Sequence, residues 1–172
     1  MLKLVSDMKE IKKPHFCSTA SGYLVNDGKI LLIKHKKLGV WLTPGGHLED
    51  GDLPHQAAQR EFWEETGIKV EAVGYESEDF MPLPFKIGLH WVSKENYQKR
   101  LKGEQPLKQW KRGCEQHFDL GYSVKPVAGL EYKKNVEETE GIAWFTLEEV
   151  KNLDTFEDVK KAIEMAFSSI KK

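Results

Sequence analysis

Cysteine is scarce in this chain: Cys17 and Cys114 are the only two in 172 residues. Two are too few for a disulfide scaffold, and their spacing matches no metal-ligand pattern. They point to a reducing cytosol, so the cytoplasm is the expected location. Long apolar runs are missing as well. Nothing approaches the roughly 18 apolar residues of a membrane span, so no membrane partner is expected. The opening MLKLVSDMKEIKKPHF has no stretch long enough for a signal peptide. Net charge is nearly absent, with 26 basic side chains against 27 acidic ones and a formal balance of −1. No global field steers such a chain toward nucleic acid or membrane, and RNA, whose phosphates dominate affinity, is disfavoured. Internal repeats and low-complexity segments are also lacking.

What is present is ordinary for a globular protein: 40% apolar and 31% charged residues. The length suggests a single domain over residues 1–172, enough to bury one core without disulfide or metal staples. A polar lead-in occupies residues 1–15, where Leu4, Met8 and Ile11 are spaced for an amphipathic turn. A basic insertion occupies residues 94–112, with Tyr97 and Trp110 among its lysines and arginines.

Residues 16–26 are rich in aromatic, β-branched and small side chains and read as a strand. Asn26-Asp27-Gly28 is a hairpin signal, and residues 29–36 read as the returning strand. A loop then leads into Thr43-Pro44-Gly45-Gly46. A helix follows, with Asp52 as its expected N-cap, Pro54 in its first turn and Gly67 at its end. Strands are expected over 68–80, 87–93, 114–125 and 142–145. Thr146 with Glu149 has the capping-box pattern, and Thr155 and Asp158 open a final helix to Ile170. Strands with a few helices make an α+β domain.

The chemistry lies in the first helix. At about 100° per residue, Glu61, Glu64 and Glu65 fall at i, i+3 and i+4 and share one face. Ala57 and Ala58 are expected on that face a turn earlier, leaving access, with Phe62 anchoring the helix in the core. Like charges at this spacing repel. Three convergent carboxylates suit a hard cation with oxygen ligands, magnesium first, manganese or calcium next. The glycine turn before the helix lets a backbone carbonyl approach the same ion, and the helix start favours phosphate. Carboxylates, divalent metal and phosphate together imply phosphoryl chemistry.

These residues resemble the Nudix box, G-x5-E-x7-R-E-U-x-E-E-x-G-U, where U is a bulky apolar residue. Gly46 takes its first position, and Arg60-Glu61-Phe62-Trp63-Glu64-Glu65-Thr66-Gly67-Ile68 fits the second half without a mismatch. Asp52 stands where the first glutamate is usual. The preceding hairpin and the later IAWFTLEEV extend the resemblance over about residues 16–167. It implies a Nudix-like α/β/α sandwich with a mixed central sheet. It also implies a pyrophosphohydrolase using Mg²⁺, with Mn²⁺ as substitute, on a nucleoside diphosphate linked to another group. By position, Glu61, Glu64, Glu65 and the Gly45 carbonyl match metal ligands. Arg60 matches the arginine that orients the box glutamates, and Asp52, one methylene short, its partner.

The general base is expected to be Glu64 or Glu65, with Glu138 or Glu140 from the acidic run before the last strand as a further ligand or base. Trp91, His117 and Tyr122 are candidates to line the substrate pocket, although a core role competes. A small nucleotide is the expected partner. The substrates that fit are nucleoside triphosphates, dinucleoside polyphosphates, nucleotide sugars or ADP-ribose, and capped RNA ends. The alternative function is a non-catalytic nucleotide sensor on the same fold, which could dispense with Glu61, Glu64 and Glu65. Oligomeric state leaves no mark in the sequence.

Overall fold

The computed structural model describes residues 14–74, 81–104, 112–133 and 135–169. The lead-in residues Leu4, Met8 and Ile11, the 75–80 end of an expected strand, and Trp110 lie outside these, as does the side chain of Tyr97. In chain order the elements are β1 (Phe16–Tyr23), β2 (Val25–Asn26), β3 (Lys29–His35), β4 (Trp41–Leu42), β5 (Gly45–His47), α1 (Pro54–Thr66), β6 (Val70–Val73), β7 (Lys86–Trp91), α2 (Lys94–Leu101), β8 (Gln116–Pro126), β9 (Thr139–Thr146), α3 (Leu147–Lys151) and α4 (Glu157–Ser169). One sheet runs β5-β1-β8-β6 with β7 also on β8, and the other runs β2-β3-β4 with β9 also on β3.

The chain divides into two compact units, Met1–Cys17 with Leu89–Phe118, and Ser18–Gly88 with Asp119–Lys172. The larger unit is layered because its strands are buried on both faces. On β3, Leu31 packs with Ala57, Ala58 and Phe62 of α1. Its neighbours Ile30 and Leu32 point the other way and pack with Val150 of α3 and with Ala162, Ile163 and Ala166 of α4. Period-2 alternation along one apolar strand thus feeds two cores, with helices on either side. Full burial of Phe62 contributes about 1.5–3 kcal/mol by itself. Ala57 and Ala58 are completely buried in the same core. They do not lie open beside the acidic face as expected, because the helix needs small side chains where it presses on the sheet.

Asp52 is not the N-cap of α1. Leu53 holds that position, its N–H donating to Gln56 Oε1 at 3.3 Å. At the far end Gly67 adopts the left-handed conformation, φ 75°, and its N–H closes on the Trp63 carbonyl. Thr146 caps α3 with Glu149 in the expected reciprocal box.

The smaller unit contains α2, a helix inside the insertion that its polar sequence did not announce, steadied by an i,i+4 pair of Glu95 and Lys99. Here Cys17 and Cys114 form a disulfide, Cα to Cα 5.7 Å, beside backbone bonds from Glu115 and Gln116 to the His15 carbonyl. The two cysteines do not build a scaffold, but they are not free thiols either. Their separation of 97 residues hid the pairing from the sequence.

Candidate active site

Strand β5 and helix α1 build the site. β5 pairs with β1 so that Ser21 faces Gly45 and Ala20 faces Gly46. A side chain at Gly46 would collide with the Glu61 carboxylate, so glycine is what lets that carboxylate lie against the strand. Glu65 sits one turn on, only 4% exposed, and its Oε2 accepts the Gly45 N–H at 3.0 Å.

Arg60 ties the acids together. Its Nη1 donates to Glu61 Oε1 at 2.9 Å and to Glu64 Oε2 at 3.1 Å. Its Nη2 donates to Asp52 Oδ2 at 2.9 Å and to the His47 carbonyl at 3.0 Å. Burial opposes the guanidinium charge, but its bonds to Asp52 and Glu61 outweigh that and raise its pKa. The shorter acid at position 52 therefore reaches Arg60. The same Asp52 oxygen also accepts the Glu49 N–H at 3.0 Å, and these two donors, Glu49 first, hold its carboxyl below the usual range.

The acidic face carries more charge than Arg60 compensates. Burial pushes the Glu65 carboxyl up to about 8; the Gly45 N–H opposes the shift, while Glu61, Glu138 and Glu64 add to it. Burial raises Glu61 in the same way, against the pull of Arg60, with Glu64 and Glu138 again contributing. Carboxylate oxygens gathered on one helix face are the donor set of a hard divalent cation, and Glu61, Glu64 and Glu65, with Arg60 bonded to the first two and the Gly45 N–H to the third, fit a metal.

The loop acids separate. Glu138 faces an open cavity of about 640 Å³ that it shares with Trp63, Glu64, Gly67, Lys133 and Asn135. Glu140 instead pairs with Lys34 at 3.6 Å. A register shift explains this: Lys34 pairs with Gly141 and His35 with Thr139, so Glu140 is skipped and turned aside.

The three pocket candidates fall in different units. Tyr122 is a core residue, 1% exposed, its ring edge-on to His55. Trp91 and His117 belong to the smaller unit, where the His117 ring meets His90 at 5.4 Å.

The sequence reading missed a second polar network. Asp119, 5% exposed, accepts from Thr19 Oγ1 and Ser21 Oγ at 3.0 Å each and from Lys86 Nζ at 2.7 Å. Burial opposes the Lys86 charge, yet Tyr23 and Asp119 outweigh it and raise its pKa. An aspartate at an inward position of a predicted strand was the available signal. Its partners come from strands roughly 30 and 100 residues away, a distance no motif spans.

The family model described as "NUDIX domain" matches residues 16–166. A MutT-like protein of Streptomyces ambofaciens is 41% identical over 73 residues, 41% of this chain and 47% of that protein. An RNA pyrophosphohydrolase of Roseobacter denitrificans is 40% identical over 58 residues, 31% of this chain and 36% of that protein. These matches span less than half the length of either relative. A NUDIX-family hydrolase of Clostridium perfringens superposes with a TM-score of 0.69, covering 92% of this chain and 99% of its own. At 24% identity that likeness speaks for the fold alone, an α+β arrangement of mixed sheet and helices. With the family model matched over most of its length, this chain belongs to the NUDIX domain family.

Proposed function

We propose that the chain hydrolyses a pyrophosphate bond in a small nucleotide, a nucleoside diphosphate linked to another group, with Mg²⁺ as cofactor and Mn²⁺ able to substitute. The observation that carries this reading is the gathering of Glu61, Glu64 and the buried Glu65 on one face of α1, the first two tied by Arg60 and the third by the Gly45 N–H. Such a cluster is costly unless a cation is meant to enter it. The bound ion, held by Glu61, Glu64 and Glu65, would polarise phosphoryl oxygens and neutralise developing charge.

The remaining work falls to the chain itself. Arg60 fixes Glu61 and Glu64 with one nitrogen and the Asp52 turn with the other. The Gly45 N–H holds one oxygen of Glu65 and so fixes its rotamer. Glu64 and Glu138 both border the open cavity, where either can take a proton from an attacking water. Glu140, paired to Lys34, takes no part in this scheme. The formal charge of −1 supports a small nucleotide over RNA, in spite of the relative named for RNA.

The test is phosphate release from a panel of nucleoside triphosphates, dinucleoside polyphosphates, nucleotide sugars and ADP-ribose. Each is run with Mg²⁺ and with chelator, in wild type and Glu64→Gln. Metal-dependent turnover of one class, lost in the variant, is expected. Nucleotide binding without turnover across the whole panel would favour a sensor instead.

A further inference from the structure

We propose that the cavity beside Glu64 is a nucleoside monophosphate subsite, in which an aromatic base stacks on Trp63 and its phosphate meets Lys133. The subsite rests on the hydrolase reading for its biological meaning, but its physical basis is separate.

Trp63 is the starting point. It occupies the unconstrained position of the box, between Phe62 and Glu64, so the family pattern does not demand an aromatic there. Phe62 is fully buried and accounts for the packing of this turn of α1, whereas Trp63 is 50% exposed. An indole left half in water gives up burial that its size would otherwise return. Trp63 lines the cavity.

The opposite wall is a loop held tightly to the helix. Lys133 N–H donates to the Thr66 carbonyl at 2.8 Å and Asn135 N–H to the Glu65 carbonyl at 3.4 Å. Together with the Gly67 N–H on Trp63, these bonds satisfy terminal carbonyls of α1. The loop backbone also comes within 3.2 Å of where a side chain on Gly67 would begin. The wall is therefore positioned by the same helix that carries the acids. Lys133 is exposed, and among the described residues its ammonium makes no ion pair.

Size and chemistry then agree. About 640 Å³ lies in the ordinary range for small-molecule pockets. An indole face takes any base by stacking, and a lysine takes phosphate as a point charge. Glu64 and Glu138 on the remaining wall repel a bare phosphate, so binding should require the divalent ion.

The experiment is a calorimetric titration with AMP and, separately, with ribose 5-phosphate, both in Mg²⁺. The proteins are wild type, Trp63→Phe, Trp63→Ala and Lys133→Met, each checked for an unchanged melting temperature. Wild type should bind AMP roughly 5- to 150-fold more tightly than ribose 5-phosphate, the range base stacking supports. Trp63→Phe should keep most of that preference, and Trp63→Ala should lose it with ribose 5-phosphate affinity unchanged. Lys133→Met should weaken both ligands together. Equal affinity of wild type for the two ligands, no AMP binding at millimolar concentration, or AMP affinity unaffected by Trp63→Ala would each overturn the subsite. The base preference compares two ligands in the same Mg²⁺ and without turnover, so its loss in wild type or its persistence in Trp63→Ala is read separately from the hydrolase reading, which stands or falls on Glu64→Gln.

Discussion

Glu65 Oε2 lies 3.0 Å from the Gly45 N–H, so a nearly buried acid is held by a single backbone donor on the strand that leads into its own helix. One neutral hydrogen bond does not offset the burial of a carboxylate, and the remaining compensation must come from a proton or a metal.

The first prediction concerns metal-free protein and pH. The folded-state pKa of Glu65, about 8, lies above its ordinary value of 4.5. Between those values the folded state binds more protons than the unfolded one, so stability must fall as pH rises from about 4.5 to 8. The fall is at most ~1.4 kcal/mol for each pH unit crossed. Urea midpoints in chelator should decline across that window, and added Mg²⁺ should flatten the decline. A metal-free profile that rises over the same range would contradict the assignment.

Gly46 and Gly45 should respond differently to alanine. At Gly46 the atoms nearest the new Cβ are the far end of Glu61, which can swing away, so Gly46→Ala should fold normally and lose activity about 10- to 100-fold. At Gly45 it meets the Ala20 carbonyl at 2.5 Å and Ser21 Cα at 2.7 Å, which are backbone atoms. Gly45→Ala should therefore destabilise the fold by about 1–3 kcal/mol. Melting curves beside turnover rates separate the two effects.

Arg60→Lys keeps the charge and loses the fork. Lysine cannot serve Glu61, Glu64, Asp52 and the His47 carbonyl at once. Metal affinity should fall about 10- to 100-fold, with a smaller change in melting temperature. A metal titration of the variant gives the answer directly; wild-type affinity would mean Arg60 does not organise the acids.

Asp52→Glu restores the residue usual in the box. A longer arm can still reach Arg60, but it gives up the tight bond to the Glu49 N–H, which is worth about 0.5–1.5 kcal/mol. Activity should stay within a few-fold of wild type, with slightly lower stability. A large loss of turnover would show that the turn at Glu49 was rebuilt around aspartate.

Lys86→Met tests the second network. Among the described residues it leaves the buried Asp119 with the Thr19 and Ser21 hydroxyls as donors, at an expected cost of about 3–5 kcal/mol. Adding Asp119→Leu should recover most of that loss, since no unpaired charge remains. Chemical denaturation of the single and double variants measures the recovery.

The acidic face is legible in the order of the residues alone. Glu61, Glu64 and Glu65 meet because helix periodicity places i, i+3 and i+4 together, and nothing beyond one helix is needed for that. The alternation of β3 and the capping box at Thr146 are readable for the same reason, since each involves residues only a few positions apart. The other features needed the folded chain. Glu138 borders the cavity and Glu140 turns toward Lys34 because of one register shift against β3. Asp52, expected both as cap and as partner of Arg60, keeps only the second role because Leu53 takes the cap position. Ala57 and Ala58 go inward because the sheet lies beneath them. The cavity of Trp63 and Lys133, the Asp119 network and the Cys17–Cys114 bond all join residues tens of positions apart. Such pairings follow from how strands and loops are brought together, and local residue preferences carry no record of that.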